Sequence, residues 1–319
     1  MWLVTGGAGY IGSHVVRALQ ADGQRVVVVD DLTTGIAEKV PSNVQLEVFS
    51  VLDTASLAKV MHDLKVTGVV HLAAKKAAGE SVHVPVDYHQ ENTGGVISLL
   101  AAMQSAGVRQ LVYSSSAAVY GEPVDDNPLT EDSPTTPTNP YGSSKLIGEM
   151  MIRDAAPALK LSWAALRYFN VAGAGEDALS DTSANNLIPM LLRARVAGRP
   201  AKIFGDDYPT PDGTCIRDYI HVRDLADAHV LALATAQPGA HGIYNLGNGT
   251  GFSVREVIAC CERVTGGPIA ARDVERRAGD PAVLIASSEK AITELGWRPR
   301  HTSIDEIVAD AWEFTRSRA

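Results

Sequence analysis

Met1-Trp-Leu-Val-Thr-Gly-Gly-Ala-Gly-Tyr-Ile-Gly-Ser-His14 opens the chain, and its reading decides the fold. Trp2 to Val4 is an apolar run of strand length. It breaks at Thr5 into a turn with glycines at 6, 9 and 12, and an amphipathic helix follows through Leu19. In such a strand–turn–helix unit Gly6 permits the tight turn, Gly9 lets the backbone approach a ligand, and Gly12 lets the helix pack close to the sheet. Tyr10 and Ile11 begin the helix, where unpaired N–H groups and the dipole favour a pyrophosphate. A glycine triplet alone fits many ordinary turns. Here a second strand, Arg25–Val29, ends in Asp30, at the distance where a carboxylate meets an adenosine ribose in dinucleotide-binding folds. Asp30, with Asp31 beside it, accepts hydrogen bonds from ribose hydroxyls and repels a 2′-phosphate. No Arg follows within Asp31–Gly35, so NAD is expected rather than NADP.

The remaining pattern extends this unit. Val44–Phe49 reads as a third strand, and Thr54–Leu64 as a helix opened by a Thr cap. Gly68–Ala74 is a fourth strand running into Leu72, Ala73 and Ala74, against whose backbone a cofactor can lie. Asn92–Gly107 is helical, Gln110–Ser116 is a fifth strand ending in hydroxyls, and 123–140 is a Pro/Thr/Asp-rich loop. Tyr141–Ala155 is helical and Leu161–Arg167 is a sixth strand. Strands alternating with helices at this spacing predict an α/β fold with a doubly wound parallel Rossmann sheet, whose ligands sit at the carboxyl ends of the strands.

Beyond Phe169 the pattern loosens. Gly, Pro and Asp are frequent from 170 to 215, around one clear helix at Ile188–Ala197. Asp218–Val222 reads as a strand that Asp224 caps into a helix, returning to the main sheet. The expected division is therefore a dinucleotide domain, 1–169 with a return segment at about 216–245, and a smaller mixed α/β substrate-binding lobe from 170–215 and 246–319.

Composition narrows the functions. The chain has 319 residues, 45% hydrophobic, with a net charge of −9. That charge disfavours nucleic acid and anionic membranes, so an anionic ligand must be held by local basic groups. No apolar run reaches membrane-spanning length. The glycine turn starts at residue 5 with no basic stretch before it, which argues against a signal peptide. Cys215, Cys260 and Cys261 form no metal or Cys-x-x-Cys spacing and fit a reduced cytoplasmic interior. The nine histidines show no metal-binding spacing either, so no metal is expected.

Tyr141-Gly-Ser-Ser-Lys145 places a phenol and an ammonium four residues apart on one helix face. A surface Tyr–Lys stack has the same spacing. The dinucleotide turn, the Pro-rich loop directly before the helix and the Ser run closing the preceding strand favour a catalytic role. A phenol of ordinary pKa, about 10, is a weak base near neutrality. A nearby ammonium and a positive nicotinamide ring both favour the phenolate. Ser116 can hydrogen-bond the same substrate oxygen.

With Gly6/Gly9/Gly12, Ser116 and Tyr141/Lys145, the chain resembles the extended short-chain dehydrogenase/reductase superfamily. More narrowly, it is similar to the UDP-glucose (UDP-galactose) 4-epimerase family. Further segments carry that likeness: Lys76–Val82, Ser114–Gly121, Leu166-Arg-Tyr-Phe-Asn170, Asn185-Asn-Leu-Ile-Pro189, the long block Ile203–Val222 ending Arg-Asp-Tyr-Ile-His-Val, Tyr244–Gly249 and Arg276-Arg-Ala-Gly-Asp280. The resemblance implies that Tyr141 takes the proton of the sugar 4-hydroxyl while hydride passes from C4 to tightly bound NAD. The 4-keto sugar then turns over and is reduced on its other face. Lys145 would hold the nicotinamide ribose, with Lys76, Asn92 and Tyr168 also on the cofactor. Asn170, Asn186 and Leu187 would meet the diphosphate, Ile203 and Phe204 the uracil, Arg217 and Arg277 the phosphates, and Asp280 the uridine ribose. A homodimer through helices 92–106 and 141–155 is implied as well.

Two departures concern the cofactor: Val51 stands where the family usually has an Asp, and Glu91 where an Asn is common. Leu284 stands where the family carries Tyr or a smaller residue, so UDP-N-acetylglucosamine is an alternative substrate, as is UDP-glucuronate. A 4,6-dehydratase would carry an acidic pair where this chain has Ala117 and Ala118. A non-enzymatic NAD sensor would need no base.

Overall fold

The computed structural model describes residues 1–125, 127–175, 179–182, 186–234, 241–277 and 279–317. Asn185 of the quoted Asn-Asn-Leu motif lies outside them. Seven parallel strands form the main sheet: β1 (Trp2–Thr5), β2 (Val26–Asp30), β3 (Gln45–Val48), β4 (Gly68–His71), β5 (Gln110–Ser116), β6 (Ser162–Tyr168) and, after three strands elsewhere, β10 (His241–Leu246). Their order is β10-β6-β5-β4-β1-β2-β3, which reverses at β1 as a doubly wound sheet requires. Neighbours along β1 serve opposite faces. Leu3 joins a core with Val27, Val69, Leu99 and Leu111, while Val4 joins another with Val28, Val70, Val16 and Leu225. Burial on both faces explains the runs of apolar residues in place of strict alternation.

The second assembly has its own core, including Ile188, Leu192, Ile203, Tyr219, Val257, Cys261 and Val308. Its four-stranded sheet holds β7 (Asn170–Ala172), β9 (Ile216–His221), β11 (Gly251–Ser253) and β13 (Val283–Leu284), with β9 paired to each of the others. A two-stranded sheet pairs β8 (Ala201–Phe204) with β12 (Ala271–Val274). A capping box, Ser253 with Glu256, starts the Val254–Thr265 helix of this part.

Three local expectations change. The strand at 216–221 does not enter the main sheet. Its Asp218 carboxylate accepts from the backbone N–H groups of Asn248, Gly249 and Ala286, which ties it to the small sheet. The return is made by the following helix, Val222–Ala234, which packs on helix Tyr10–Ala21, and by β10. Asp224 does not cap that helix; it lies in its first turn and accepts from the His301 N–H. The helix at 54–63 is capped by Asp53, whose carboxylate accepts from the Ser56 N–H at 3.0 Å. A carboxylate at that position satisfies an orphan donor and favours the positive helix end.

Candidate active site

The glycine turn is built as its spacing demands. Gly6 has φ +71°, and a Cβ there would lie 2.7 Å from the Ala73 nitrogen, so β1 and the chain leaving β4 pass at backbone distance. A Cβ on Gly12 would lie 2.1 Å from the Gly6 carbonyl oxygen, so only glycine lets the helix sit this close. Gly9 is the N-cap of helix Tyr10–Ala21, and no side chain caps that helix end. Its first N–H groups are therefore free of a side-chain partner, which fits an anionic diphosphate. Asp30 is buried at the end of β2. Its carboxylate accepts from the N–H of Ala8 and Leu32, both at 2.9 Å. Burial raises its pKa, and those two bonds oppose the rise. The exposed Asp31 accepts from the Thr33 N–H.

Tyr141 and Lys145 lie on helix Pro140–Leu159, which Asn139 caps through the Gly142 N–H. The chain stays helical through Pro157, past the expected end at 155. Tyr141 faces a cleft of about 510 Å³ with Ser116, from the end of β5, on the same wall. Burial raises the Tyr141 pKa, and the Ser116 hydroxyl pulls it back by hydrogen bonding. Lys145 lies behind that wall, 3% exposed, and its Nζ donates to the Ser114 carbonyl at 2.7 Å. Burial pushes its pKa down to about 7, with Glu149 opposing the fall.

Sequence reasoning missed the network that fixes this helix. Arg167 of β6 donates to both carboxylate oxygens of Glu149 and, at 2.9 Å, to the Tyr120 hydroxyl. Tyr120 in turn donates to Asn245 at 2.6 Å. Both ions are buried, so each depends on the other. The available signal was Glu149 one turn beyond Lys145, on the same helix face.

Asn92 is buried. It accepts from the Lys75 N–H at 2.8 Å and donates to the Lys75 carbonyl and to Ser144, pinning the chain after β4 to the helix that carries Tyr141 and Lys145. Leu72, Ala73 and Ala74 lead into that pinned segment. Val51 belongs to the core that includes Leu57 and Met61.

The cleft joins the two assemblies. Tyr10, Ile11, Lys76 and Tyr168 line it from the dinucleotide side, and Asn170, Asn186, Leu187, Phe204 and Leu284 from the other. Arg217, Arg277 and Asp280 complete that second wall. Arg217 is buried and pairs with Asp280 at 2.7 Å, and the Arg277 guanidinium lies 3.9 Å over the Phe204 ring. Ile203 differs from the expectation. Its side chain is buried in the core of the second assembly, because adjacent strand residues point to opposite faces and Phe204 takes the cleft side. Among the described residues, no three His, Cys, Asp or Glu come together as metal ligands. No helix among them is long and apolar enough to cross a membrane.

A glycine turn whose helix end has no side-chain cap, a Ser116–Tyr141 wall on the cleft and Lys145 behind it define a nucleotide-dependent redox site, and comparison with known proteins specifies it. The NAD dependent epimerase/dehydratase family matches residues 2–247, and the chain belongs to that family. It is 50% identical over 318 residues to a UDP-glucose 4-epimerase of Corynebacterium glutamicum, spanning 98% of this chain and 95% of the relative. A UDP-glucose 4-epimerase from Bifidobacterium longum, solved with NAD+ and UDP, superposes with a TM-score of 0.94 at 37% identity, covering 99% of this chain and 98% of that one. A second, from Stenotrophomonas maltophila with NAD and a formylated UDP-arabinopyranose, gives 0.93 at 41% identity, with 99% and 98% covered.

Proposed function

We propose that this chain is an NAD-dependent 4-epimerase interconverting UDP-galactose and UDP-glucose through a transient 4-keto sugar. The observation that carries the reading is the cleft itself. Tyr141 and Ser116 form one wall, and Phe204, Arg217, Arg277 and Asp280 form the facing one. Those arginines are the local cations that a protein of net charge −9 needs to hold a diphosphate.

The Gly6–Gly12 turn, Asp30, Asp31, Leu72–Ala74, Lys76 and Tyr168 would hold NAD, which when bound supplies the reversible hydride acceptor for sugar C4. Tyr141 takes the proton from the 4-hydroxyl and returns it to the 4-keto oxygen after the sugar has turned. Ser116 hydrogen-bonds the same oxygen. Lys145 would hold the nicotinamide ribose, and in its ammonium form it would lower the cost of the phenolate. Asn92 acts by holding Lys75 against the catalytic helix. On the other wall Asn170, Asn186, Leu187 and Phe204 would take the nucleotide. Phe204 would lie against the uracil, Arg217 and Arg277 would bind the phosphates, and Asp280 would meet the uridine ribose. Ala117 and Ala118 leave no acid or base for dehydration.

The two-domain division belongs to the same reading, with the small-sheet strand 216–221 assigned to the sugar-nucleotide lobe. So does a homodimer through the helices at 94–106 and 140–159, supported by exposed apolar side chains at Ile97 and Met150. A cytoplasmic setting is supported by three free, buried cysteines.

The test uses the purified protein with no added cofactor. UDP-galactose should be converted to UDP-glucose, and denaturing an aliquot should release NAD. Tyr141→Phe should lose about 1,000-fold or more in kcat, the range of general acid–base contributions, and retain its NAD. Bound NAD without conversion of UDP-galactose would sink the assignment. Parallel assays with UDP-N-acetylglucosamine read whether Leu284, smaller than Tyr, admits the N-acetyl group; no turnover removes that extension.

A further inference from the structure

His14 closes the glycine-turn motif yet has no part in the chemistry above. It is 5% exposed, and its ring makes two directed contacts. Nδ1 lies 2.8 Å from the Tyr10 carbonyl oxygen, which can only accept, so Nδ1 carries the proton. Nε2 is then free to accept, and it takes the Gly175 N–H at 2.9 Å, 161 residues away. The surrounding groups complete a clamp. The Tyr10 hydroxyl donates to the Gly173 carbonyl at 2.7 Å, and Arg223 donates to the Gly175 carbonyl. A Cβ on Gly175 would lie 2.6 Å from the imidazole, so the glycine is what lets the ring reach the backbone. Farther along, the buried Lys39 donates through Nζ to the Ser180 carbonyl at 2.9 Å. Next to it, the Asp181 carboxylate accepts from Asn186 and lies 3.9 Å from Lys76.

These anchors have a common geometry. The chain lines the cleft at Asn170–Ala172, leaves it, and lines it again at Asn186 and Leu187. After the exit, Gly173 and Gly175 are fastened to the helix that carries the glycine turn, and before the re-entry Ser180 is fastened to Lys39 of the 37–39 turn. We propose that His14 is a positioning residue for the sugar-nucleotide wall: through Gly175 it fixes the exit of the 172–186 connection on the dinucleotide helix. The imidazole does this as a neutral acceptor. Lys39 holds the same connection nearer its re-entry. The dinucleotide helix thereby sets the position of Asn170 on the substrate wall, Lys39 steadies the approach to Asn186, and His14 acts through Gly175 rather than by touching substrate or cofactor.

This inference rests on the epimerase reading for its kinetic readout, and backbone-amide exchange provides one that does not. In the NAD-loaded protein, His14→Ala should speed exchange across residues 170–175 by about tenfold or more, since the Gly175 N–H loses its acceptor. With UDP-galactose it should raise KM about tenfold while changing kcat by less than about threefold, with NAD content unchanged. His14→Gln places an amide oxygen near the position of Nε2 and should restore KM to within about threefold of wild type. Lys39→Met, which keeps a buried aliphatic stem, should raise KM in the same direction and serves if His14→Ala fails to fold. Unchanged exchange at 170–175 in His14→Ala overturns the proposal whatever the substrate proves to be. So does a loss of NAD and kcat together that Gln does not rescue, because the residue would then serve the cofactor. Altered exchange with no turnover by wild type would retain the His14–Gly175 anchor and count against the epimerase reading alone.

Discussion

The two walls of the cleft are built by opposite means. On the dinucleotide side, fourteen consecutive residues form a strand, a turn and the start of a helix, and the ligand-facing geometry follows from which of them lack a Cβ. On the sugar-nucleotide side, Phe204, Arg217, Arg277 and Leu284 come from separate strands and loops, and ion pairs and ring contacts between distant residues hold them together. The first wall is made by local backbone geometry and the second by tertiary packing. Substitutions should therefore damage the first by exclusion and the second by loss of a partner.

Gly12→Ala should give the largest effect of this kind. Its Cβ would meet the Gly6 carbonyl oxygen at 2.1 Å, so either the helix or the turn must shift. Overpacking of this sort costs about 3 kcal/mol, on the order of 100-fold in equilibrium terms. NAD measured after denaturation should fall to a small fraction of one per chain. UDP affinity, read by calorimetry on the same protein, should change by less than about threefold. Equal loss of both ligands would show that the two walls are not separable.

Arg217→Ala attacks the other wall. It removes a buried guanidinium and strands Asp280, whose carboxylate accepts from it at 2.7 Å. Under the epimerase reading it also removes a charge-assisted bond to a phosphate, worth about 2 kcal/mol, so KM for UDP-galactose should rise roughly 30-fold with NAD retention intact. A normal KM would place the diphosphate elsewhere.

What was legible in the sequence follows the same division. The glycine turn, Asp30 and the Tyr141–Lys145 spacing are short-range patterns, and the structure places them at strand ends and on one helix face as that spacing requires. The second assembly showed only one clear helix, because its strands are short and its pairing partners lie far apart in the chain. The strand at 216–221 was legible as a strand, but its sheet was not: that choice is made by Asp218 accepting from Asn248, Gly249 and Ala286. Ile203 and Phe204 are indistinguishable by type, and only the face of β8 separates core from cleft. Glu149 stood one turn beyond Lys145, but its partner Arg167 and the His14–Gly175 contact were not legible, since each pair joins segments that only the fold brings together.

The smallest effect concerns the seam between the walls. His229, on helix Val222–Ala234, is fully buried. Its Nδ1 donates to the Leu225 carbonyl at 2.8 Å, and its Nε2 accepts from the Tyr168 hydroxyl at 2.5 Å. Burial lowers its pKa from 6.5 to about 4, against the opposing bond to Leu225. Because the folded value lies below the unfolded one, the unfolded chain binds a proton between pH 6.5 and 4 that the folded chain does not. Stability from this group is complete above pH 6.5 and falls as the pH drops through that window, by about 1.4 kcal/mol per pH unit. His14 is lowered to about 4 and adds a slope of the same sign. Urea unfolding at pH 7, 6 and 5 should show the combined decline. His229→Gln, which offers an amide of similar reach, should remove about 1.4 kcal/mol per pH unit from it. An unchanged slope in that variant would mean that His229 is already protonated in the folded chain. It could not then accept the Tyr168 hydrogen bond that ties helix 222–234 to the end of β6, where the chain crosses from one wall to the other.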